Sequence, residues 1–207
     1  MMRSLLFALA VAGAVSPLSA APFTVRVVDA SGRPVRDAVV TLHPTGGAAR
    51  APRPGGRFVV SQKDLKFQPF MTIVPVGSNV SFPNLDPTKH HVYSFSPAKK
   101  FELKLFAKDQ SRTVNFDRPG VVALGCNIHD QMSAYIVVTD SAWTGRTNAQ
   151  GIVSFADAPN APARLTVFHP YLRAAGGQQQ QGIAASQRSA NFQIRLRPPP
   201  AMAAMDY

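Results

Sequence analysis

Three residues with metal-binding side chains recur at every third position of one short segment. Cys126, His129 and Met132 lie in the sequence GCNIHDQM, between two apolar runs. Two further histidines, His90 and His91, stand upstream at the start of another β-branched run. Together these residues offer a thiolate, imidazoles and a thioether, which are the donor types of a site for a soft or borderline metal ion.

The donor types favour copper over zinc. Thiolate and thioether are soft ligands and imidazole suits copper, whereas structural zinc sites favour several thiolates. Two imidazoles and one thiolate in a trigonal arrangement, with a weak axial methionine, suit neither the tetragonal preference of Cu(II) nor a linear Cu(I) geometry. Because both oxidation states tolerate this compromise, the ligand geometry changes little when the copper ion gains or loses an electron. We therefore expect one copper ion of type 1, and Met132 is the residue that argues against zinc.

Each of these residues has a structural explanation when it is taken alone. Cysteine often serves as a small buried hydrophobe and methionine as a core residue, and a lone His129 would be a surface imidazole. The occurrence of all three within seven residues, with a histidine upstream, is what favours a metal site. Cys126 is also the only cysteine of the chain. A metal ion would protect this thiol, which an exported protein does not usually leave free.

Short strands must position these ligands, because no helical period persists for three turns. Their regular spacing between Gly, Pro, Asn and Asp favours β-sandwiches or barrels over βαβ units. We predict strands at Phe23–Asp29, Ala38–His43, Met71–Val74, Ser78–Pro83, Val92–Ser96, Phe101–Phe106, Arg112–Phe116, Gly120–Cys126, Ala134–Thr139, Gly151–Phe155, Arg164–His169 and Asn191–Arg197. A loop folded back between adjacent strands would bring the cysteine, histidine and methionine together. The fourth ligand must then come from a neighbouring strand end.

Three sequence stretches resemble the cupredoxins. They are the GCNIHDQM loop, the approach FPNLDPTKHHV and the strand DRPGVVALGC. They are similar to the short-loop proteins of the amicyanin- and plastocyanin-like type, and especially to cupredoxin-like proteins of methylamine utilisation. The resemblance covers roughly residues 66–139. It implies an all-β, Greek-key sandwich with one type 1 copper ion, whose function is electron transfer and not enzymatic catalysis.

The resemblance also assigns roles to individual residues. It implies the copper ligands His90, Cys126, His129 and Met132. His91 falls where relatives often have Asn, and its backbone N–H would donate to the Cys126 sulfur, although the His91 side chain could compete for the metal. A further residue, Asn84, matches the family's buried amide that braces the ligand loop. In the family the second histidine reaches the surface within an apolar patch, to which Ile128 and Met132 would contribute here.

The segments on either side of this region resemble a carboxypeptidase regulatory-like β-sandwich. The resemblance depends on a strand, turn and strand near the N-terminus and on the later stretches TNAQGIVSF and LTVFHPY. Neither half has enough strands to bury a core alone. We therefore predict a discontinuous domain of residues 21–60 plus 140–197 with a cupredoxin domain, 61–139, inserted into it. The alternative is that both flanks add strands to one larger sandwich.

The chain begins with the features of a secretory signal peptide. A cationic start, a short apolar run and small residues occupy positions 1–20, so we expect an exported protein, periplasmic or otherwise secreted, without a later membrane span. At the other end, the proline-rich segment 198–207 is predicted to be a disordered tail. The stretch AAGGQQQQG at 174–182 is predicted to be a mobile loop.

The formal net charge of +11 points toward acidic partners. Since an exported protein rarely meets nucleic acid, we expect a redox partner with an acidic surface, such as a cytochrome or a dehydrogenase.

The sequence lacks a glycine-rich phosphate loop, a His-Glu-x-x-His motif and a recognisable nucleophile turn. Its five histidines are too few for a multicopper oxidase. Two other functions remain open: a periplasmic copper carrier or store, and a structural module in which copper is incidental.

Overall fold

The computed structural model describes residues 22–46, 48–53 and 55–198. The predicted signal peptide and, except for Pro198, the predicted tail lie outside the described residues. Within these ranges the chain forms seventeen strands and one 3₁₀ turn at Ala175–Gly177, with no α-helix. The predicted all-β fold class is confirmed.

The strands are short and follow one another closely along the chain. They are β1 (Phe23–Asp29), β2 (Val39–Pro44), β3 (Phe58–Val59), β4 (Ser61–Lys63), β5 (Lys66–Gln68), β6 (Met71–Pro75), β7 (Ser78–Pro83), β8 (His90–Ser96), β9 (Lys99–Phe106), β10 (Ser111–Phe116), β11 (Gly120–Cys126), β12 (Ser133–Thr139), β13 (Trp143–Arg146), β14 (Ile152–Phe155), β15 (Ala163–Phe168), β16 (Gln178–Ile183) and β17 (Ser189–Ile194).

The middle of the chain forms a β-sandwich. One sheet has the strand order β6-β12-β11-β8-β9 and the other has the order β10-β7-β3, while β4 and β5 form a separate hairpin. The β6–β12 and β3–β7 pairs are parallel and the other pairs in these sheets are antiparallel. Strands of both sheets contribute to a single apolar cluster. Its fully buried members include Phe82, Phe106, Phe116 and Ile136. The alternation of buried and exposed residues along β7, β8 and β11 places one face of each strand on this core.

The flanking segments form two further sheets. Their strand orders are β14-β1-β17 and β13-β2-β15-β16, and they share a second apolar cluster that includes Val25, Trp143, Leu165 and Phe192. The chain therefore leaves these sheets after β2, builds the central sandwich and returns at β13. The assignment of the flanking sheets to a discontinuous carboxypeptidase regulatory-like domain stays a prediction.

Strand β12 is buried on both faces. Its even-numbered residues, such as Ile136, belong to the core of the central sandwich. Its odd-numbered residue Val137 joins a third cluster with Met71 of β6 and with Val39 and Phe168 of the flanking sheets. A strand covered on both faces is apolar throughout, which explains the uninterrupted run from Ala134 to Val138. This strand holds the central sandwich against the flanking sheets.

The prediction of a mobile loop at 174–182 is wrong. Residues Gln178–Ile183 are strand β16, which pairs antiparallel with β15 over six residue positions. Four consecutive glutamines give no apolar alternation, so the sequence carried no strand signal. The strand forms because it lies at the edge of its sheet, where backbone hydrogen bonds to β15 suffice and the side chains stay in water.

Candidate metal centre

The candidate ligands lie at one end of the five-stranded sheet. Cys126 is the last residue of β11 and His90 is the first residue of the adjacent strand β8, in which Val92 is the partner of Cys126. The six residues after Cys126 form a short loop that leads into β12. In that loop the backbone N–H of Met132 donates to the carbonyl of His129 over 3.0 Å. The loop thus folds back between two neighbouring strands and returns its histidine to the cysteine.

Three donor atoms converge at this end of the sheet. The Sγ atom of Cys126 is 3.8 Å from Nδ1 of His90 and 3.6 Å from Nδ1 of His129. The ligand atoms of the three residues all lie within 4.8 Å of one another. A nitrogen and a sulfur bound to one ion at about 2.0 and 2.3 Å, with an angle of about 110–120° between them, are themselves about 3.5–3.7 Å apart. The observed separations therefore fit a single ion bound by all three residues.

Burial differs sharply among the candidate residues. His90 is fully buried and Cys126 is 4% exposed, whereas His129 is only partly buried. Met132 is 2% exposed and packs in the same apolar cluster as Cys126. The expectation that Met132 contributes to a surface patch is therefore wrong, because the loop turns its side chain inward. Ile128, in contrast, is 47% exposed as expected.

A buried carboxylate fixes the tautomer of His90. The Nε2 atom of His90 lies 2.7 Å from Oδ2 of Asp86, which is itself only 5% exposed. An ionised carboxylate can only accept hydrogen bonds, so Nε2 is the donor. The Nδ1 atom therefore keeps its lone pair and presents it toward Cys126. This carboxylate–histidine pair is the arrangement that commonly orients a metal-binding imidazole.

Asp86 is ionised although it is buried. Burial by itself would raise the pKa of this carboxyl, but the hydrogen bond from His90 and those from the backbone N–H groups of Leu65 and Asp64 outweigh it, so the pKa lies below its usual value. The two backbone donors are 3.1 and 2.6 Å from the carboxylate. They belong to the turn of the β4–β5 hairpin, where both residues have positive φ angles. Asp86 thus connects the histidine to a separate hairpin.

Asn84 holds the segment that leads to His90. Its side-chain Nδ2 donates to the carbonyls of Thr88 and Phe106, at 2.8 and 3.0 Å. Its Oδ1 accepts the backbone N–H of Asp86 at 2.9 Å. The side chain is completely buried. The bracing role at a metal site that the sequence resemblance implied for Asn84 stays a prediction.

The structure directs His91 away from the cluster. Its Nε2 lies 3.0 Å from a carboxylate oxygen of Glu102 on the neighbouring strand β9. Alternation along β8 places His90 and Val92 on the core face and His91 on the other. The ring of His91 continues outward in an aromatic row with Tyr93, at a centroid distance of 6.3 Å. His90, and not His91, is therefore the histidine that accompanies Cys126 and His129.

Sequence reasoning missed Asp86. The residue stands four positions before His90 in the stretch FPNLDPTKHHV, and this i, i+4 spacing has no meaning in an extended strand. A turn between the two residues brings them together. The Asp86-Pro87 dipeptide favours a turn, but it does not indicate which side chains that turn joins. A buried Asp is rare unless it is paired, but burial is visible only in the folded chain.

The strand arrangement makes the central region a cupredoxin-like β-sandwich, and three of the candidate ligands lie at the end of β11 and in the loop that follows it. Among solved structures, the chain is similar to the Cu-containing nitrite reductase NirK from Thermus scotoductus SA-01, with 23% identity over 47% of this chain and 25% of that chain, and a TM-score of 0.39. It is also similar to the reduced Cu(I) form of an amicyanin mutant. The two share 21% identity over 48% of this chain and 99% of that chain, with a TM-score of 0.38. A novel purple cupredoxin from Nitrosopumilus maritimus shares 18% identity over 40% of this chain and 99% of that chain, with a TM-score of 0.36.

These likenesses cover about half of the chain. The chain spans about a quarter of the nitrite reductase and nearly the whole length of the amicyanin and of the purple cupredoxin. No protein-family model and no curated protein sequence matches the chain.

Among the described residues, no helix has the length and apolar character needed to cross a membrane.

Proposed function

We propose that this protein binds one type 1 copper ion and passes single electrons between redox partners. The ligands are Nδ1 of His90, Sγ of Cys126, Nδ1 of His129 and the thioether of Met132. Bound copper supplies the chemistry by alternating between Cu(I) and Cu(II), which takes up or releases one electron. The observation that carries the proposal is the convergence of the two imidazole nitrogens on the buried sulfur, at 3.6 and 3.8 Å.

The chain holds these donors in place. His90 and Cys126 begin and end paired strands, and Asp86 fixes the tautomer of His90 through a buried hydrogen bond. Donors fixed by packing and by further hydrogen bonds cannot rearrange when the charge of a bound ion changes. The protein therefore imposes one geometry on both oxidation states. This property suits an electron carrier, and it opposes the ligand exchange that a copper carrier or store would need.

The proposed route for the electron passes through His129. It is the most exposed of the three clustered residues, whereas the other two are buried. Large apolar residues on adjoining segments are exposed as well, with Ile128 at 47%, Leu85 at 47% and Leu65 at 40%. An apolar surface at this end of the sheet suits brief docking through a small interface. We propose a redox protein as the partner, a cytochrome or a dehydrogenase whose acidic surface complements the net charge of +11.

The proposed location is the periplasm or another site outside the cytoplasm, following removal of residues 1–20 as a signal peptide. An oxidising compartment makes a lone free thiol a liability, and copper bound by Cys126 removes that liability. In this proposal the protein carries electrons for other enzymes and is not itself an enzyme.

The test begins with Cu(II) added to the purified protein. We expect an intense blue or purple colour from thiolate-to-copper charge transfer, at one copper per chain, which ascorbate bleaches and ferricyanide restores. Cys126→Ser should abolish the colour, and His43→Gln, a matched change at a histidine of the flanking sheets, should leave it unchanged. Colourless copper binding by the native protein would contradict the proposal. So would transfer of the copper to a chelator faster than electron exchange with an oxidant.

A further inference from the structure

A large cleft lies between the central sandwich and the flanking sheets. Its volume is about 950 Å³, within the usual range for a small-molecule site. Residues from five separate parts of the chain line it: the β1–β2 connection, the start of β6, the end of β13, the segment after β15 and the segment after β17. The metal-binding residues are not among those that line it.

The cleft has a strong excess of positive charge. Six arginines line it and only two aspartates oppose them, an excess of four positive charges. The arginines are Arg33, Arg36, Arg146, Arg173, Arg195 and Arg197. The remaining titratable base, His169, is neutral at pH 7 because burial lowers its pKa to about 4.

Half of these arginines already have carboxylate partners. Arg33 pairs with Asp29 at 2.9 Å, while Arg36 and Arg146 share Asp37 at 3.0 and 3.6 Å. Within residues 22–46, 48–53 and 55–198, no carboxylate lies within salt-bridge distance of the other three arginines. These three, Arg173, Arg195 and Arg197, are solvent-exposed.

The backbone holds two of the unpaired arginines directly opposite each other. Leu172 and Leu196 form an antiparallel bridge, and the N–H of Arg173 donates to the carbonyl of Arg195 over 2.8 Å. The two guanidinium groups therefore leave the same face of this short ladder. Like charges directly opposite on paired strands are destabilising. An anion placed between them would reverse this repulsion.

We infer that this cleft binds a small polyanion that carries at least two phosphoryl or carboxylate groups. The guanidinium group matches both kinds of group in a bidentate, charge-assisted geometry. Arg173 and Arg195 bind one anionic group between them. Arg197 donates one N–H to the carbonyl of Pro170 at 3.4 Å and keeps its other N–H groups for a second anionic group. Tyr171 and Leu196 line the same cleft and provide an apolar wall for the body of the ligand. This site is separate from the proposed copper function, because its residues and its ligand are different.

The experiment is calorimetric titration of the purified protein with inorganic tripolyphosphate and, in a second arm, with citrate. We expect saturable binding of one anion per chain in at least one arm, which weakens as the salt concentration rises. The double substitution Arg173→Gln/Arg195→Gln should weaken it by at least about tenfold. Arg53→Gln/Arg57→Gln is the matched control, since it removes two exposed arginines outside the cleft and should change the affinity by less than about twofold.

Thermal unfolding separates a binding role from a structural role. The anion should raise the melting temperature of the native protein and have no such effect on the cleft variant. Without anion, the cleft variant should melt no lower than the native protein, because a like-charged pair has been removed. The inference is overturned if neither anion binds, if both double variants lose affinity equally, or if the cleft variant binds normally. The readouts are heat and melting temperature, so they do not depend on whether copper binds.

Discussion

The carboxylate of Asp86 lies 2.7 Å from Nε2 of His90, and both side chains are buried. This contact leaves Nδ1 of His90 as the only atom of the ring that can bind a metal beside Cys126. It also places a negative charge one imidazole away from the proposed copper. The same carboxylate accepts two backbone N–H groups from the β4–β5 turn, so the orientation of the histidine depends on a hairpin that contributes no ligand.

The first prediction concerns Asp86→Asn. The amide oxygen can still accept the N–H of His90, so copper binding should persist, although the new NH₂ group cannot accept the N–H of Asp64 that Oδ1 of Asp86 now accepts at 2.6 Å. The negative charge that stabilises Cu(II) over Cu(I) is lost. We expect the reduction potential to rise by roughly 40–60 mV, which corresponds to about 1 kcal/mol for one electron. Voltammetry of the copper-loaded protein measures this shift. Asp64→Asn, which removes an exposed carboxylate of the same hairpin turn, should move the potential much less. Equal shifts in the two variants would show that Asp86 has no special role.

The second prediction distinguishes the two adjacent histidines. His90→Asn should abolish the coloured copper complex, because it removes a clustered donor. His91→Asn should keep the colour, because the His91 side chain contacts Glu102 on the other face of the strand. Loss of that pair, in which the His91 side chain is 12% exposed and the Glu102 side chain 58% exposed, should cost about 1 kcal/mol. Absorption spectra and denaturant unfolding of both variants check these expectations, and a colourless His91→Asn protein would reverse the ligand assignment.

The third prediction concerns the residue before the cysteine. A Cβ atom at Gly125 would lie 2.7 Å from Cζ and from the hydroxyl oxygen of Tyr93, so Gly125→Ala forces that side chain or strand β11 to move. We expect a loss of about 1–2 kcal/mol of stability and a shifted copper absorption band, since Cys126 is the next residue. Adding Tyr93→Ala should restore the band position. The control is Gly182→Ala, whose Cβ would meet nothing within 4 Å.

The fourth prediction is a pH dependence that originates at His169. Burial lowers the pKa of this imidazole from 6.5 to about 4, so the folded state keeps it neutral where the unfolded chain protonates it. The stability that this group contributes is therefore complete above pH 6.5 and falls as the pH drops toward 4. The loss should reach about 2–3 kcal/mol near pH 4.5.

Urea unfolding at pH 7 and pH 4.5 measures this loss. His169→Asn provides the comparison, because its Oδ1 can accept the N–H of Tyr171 that Nδ1 of His169 now accepts at 3.2 Å. The variant should lose less stability on acidification than the native protein. If both proteins lose the same amount, another group is responsible for the acid sensitivity.

Much of the strand framework was predictable. Strands β1, β7 and β11 begin and end at the predicted residues, because β-branched and aromatic runs between turn residues give a strong local signal. The strands that were missed are short or polar, and include β4, β5 and β16. Their side chains carry little apolar alternation, so the sequence gives little strand signal. Backbone hydrogen bonds to neighbouring strands and hairpin partners stabilise these strands instead.

The sequence by itself determined the donor types, their spacing on one loop and the strands on either side, because these are properties of neighbouring residues. Only the tertiary structure decided that His90 faces Cys126 while His91 faces Glu102, since alternation separates the two faces of a strand without saying which one is covered. Only the fold joined Asp86 to the histidine and gathered six arginines from residues 33–197 into one cleft. Such contacts depend on how distant segments pack, and that packing leaves no periodic trace in the chain.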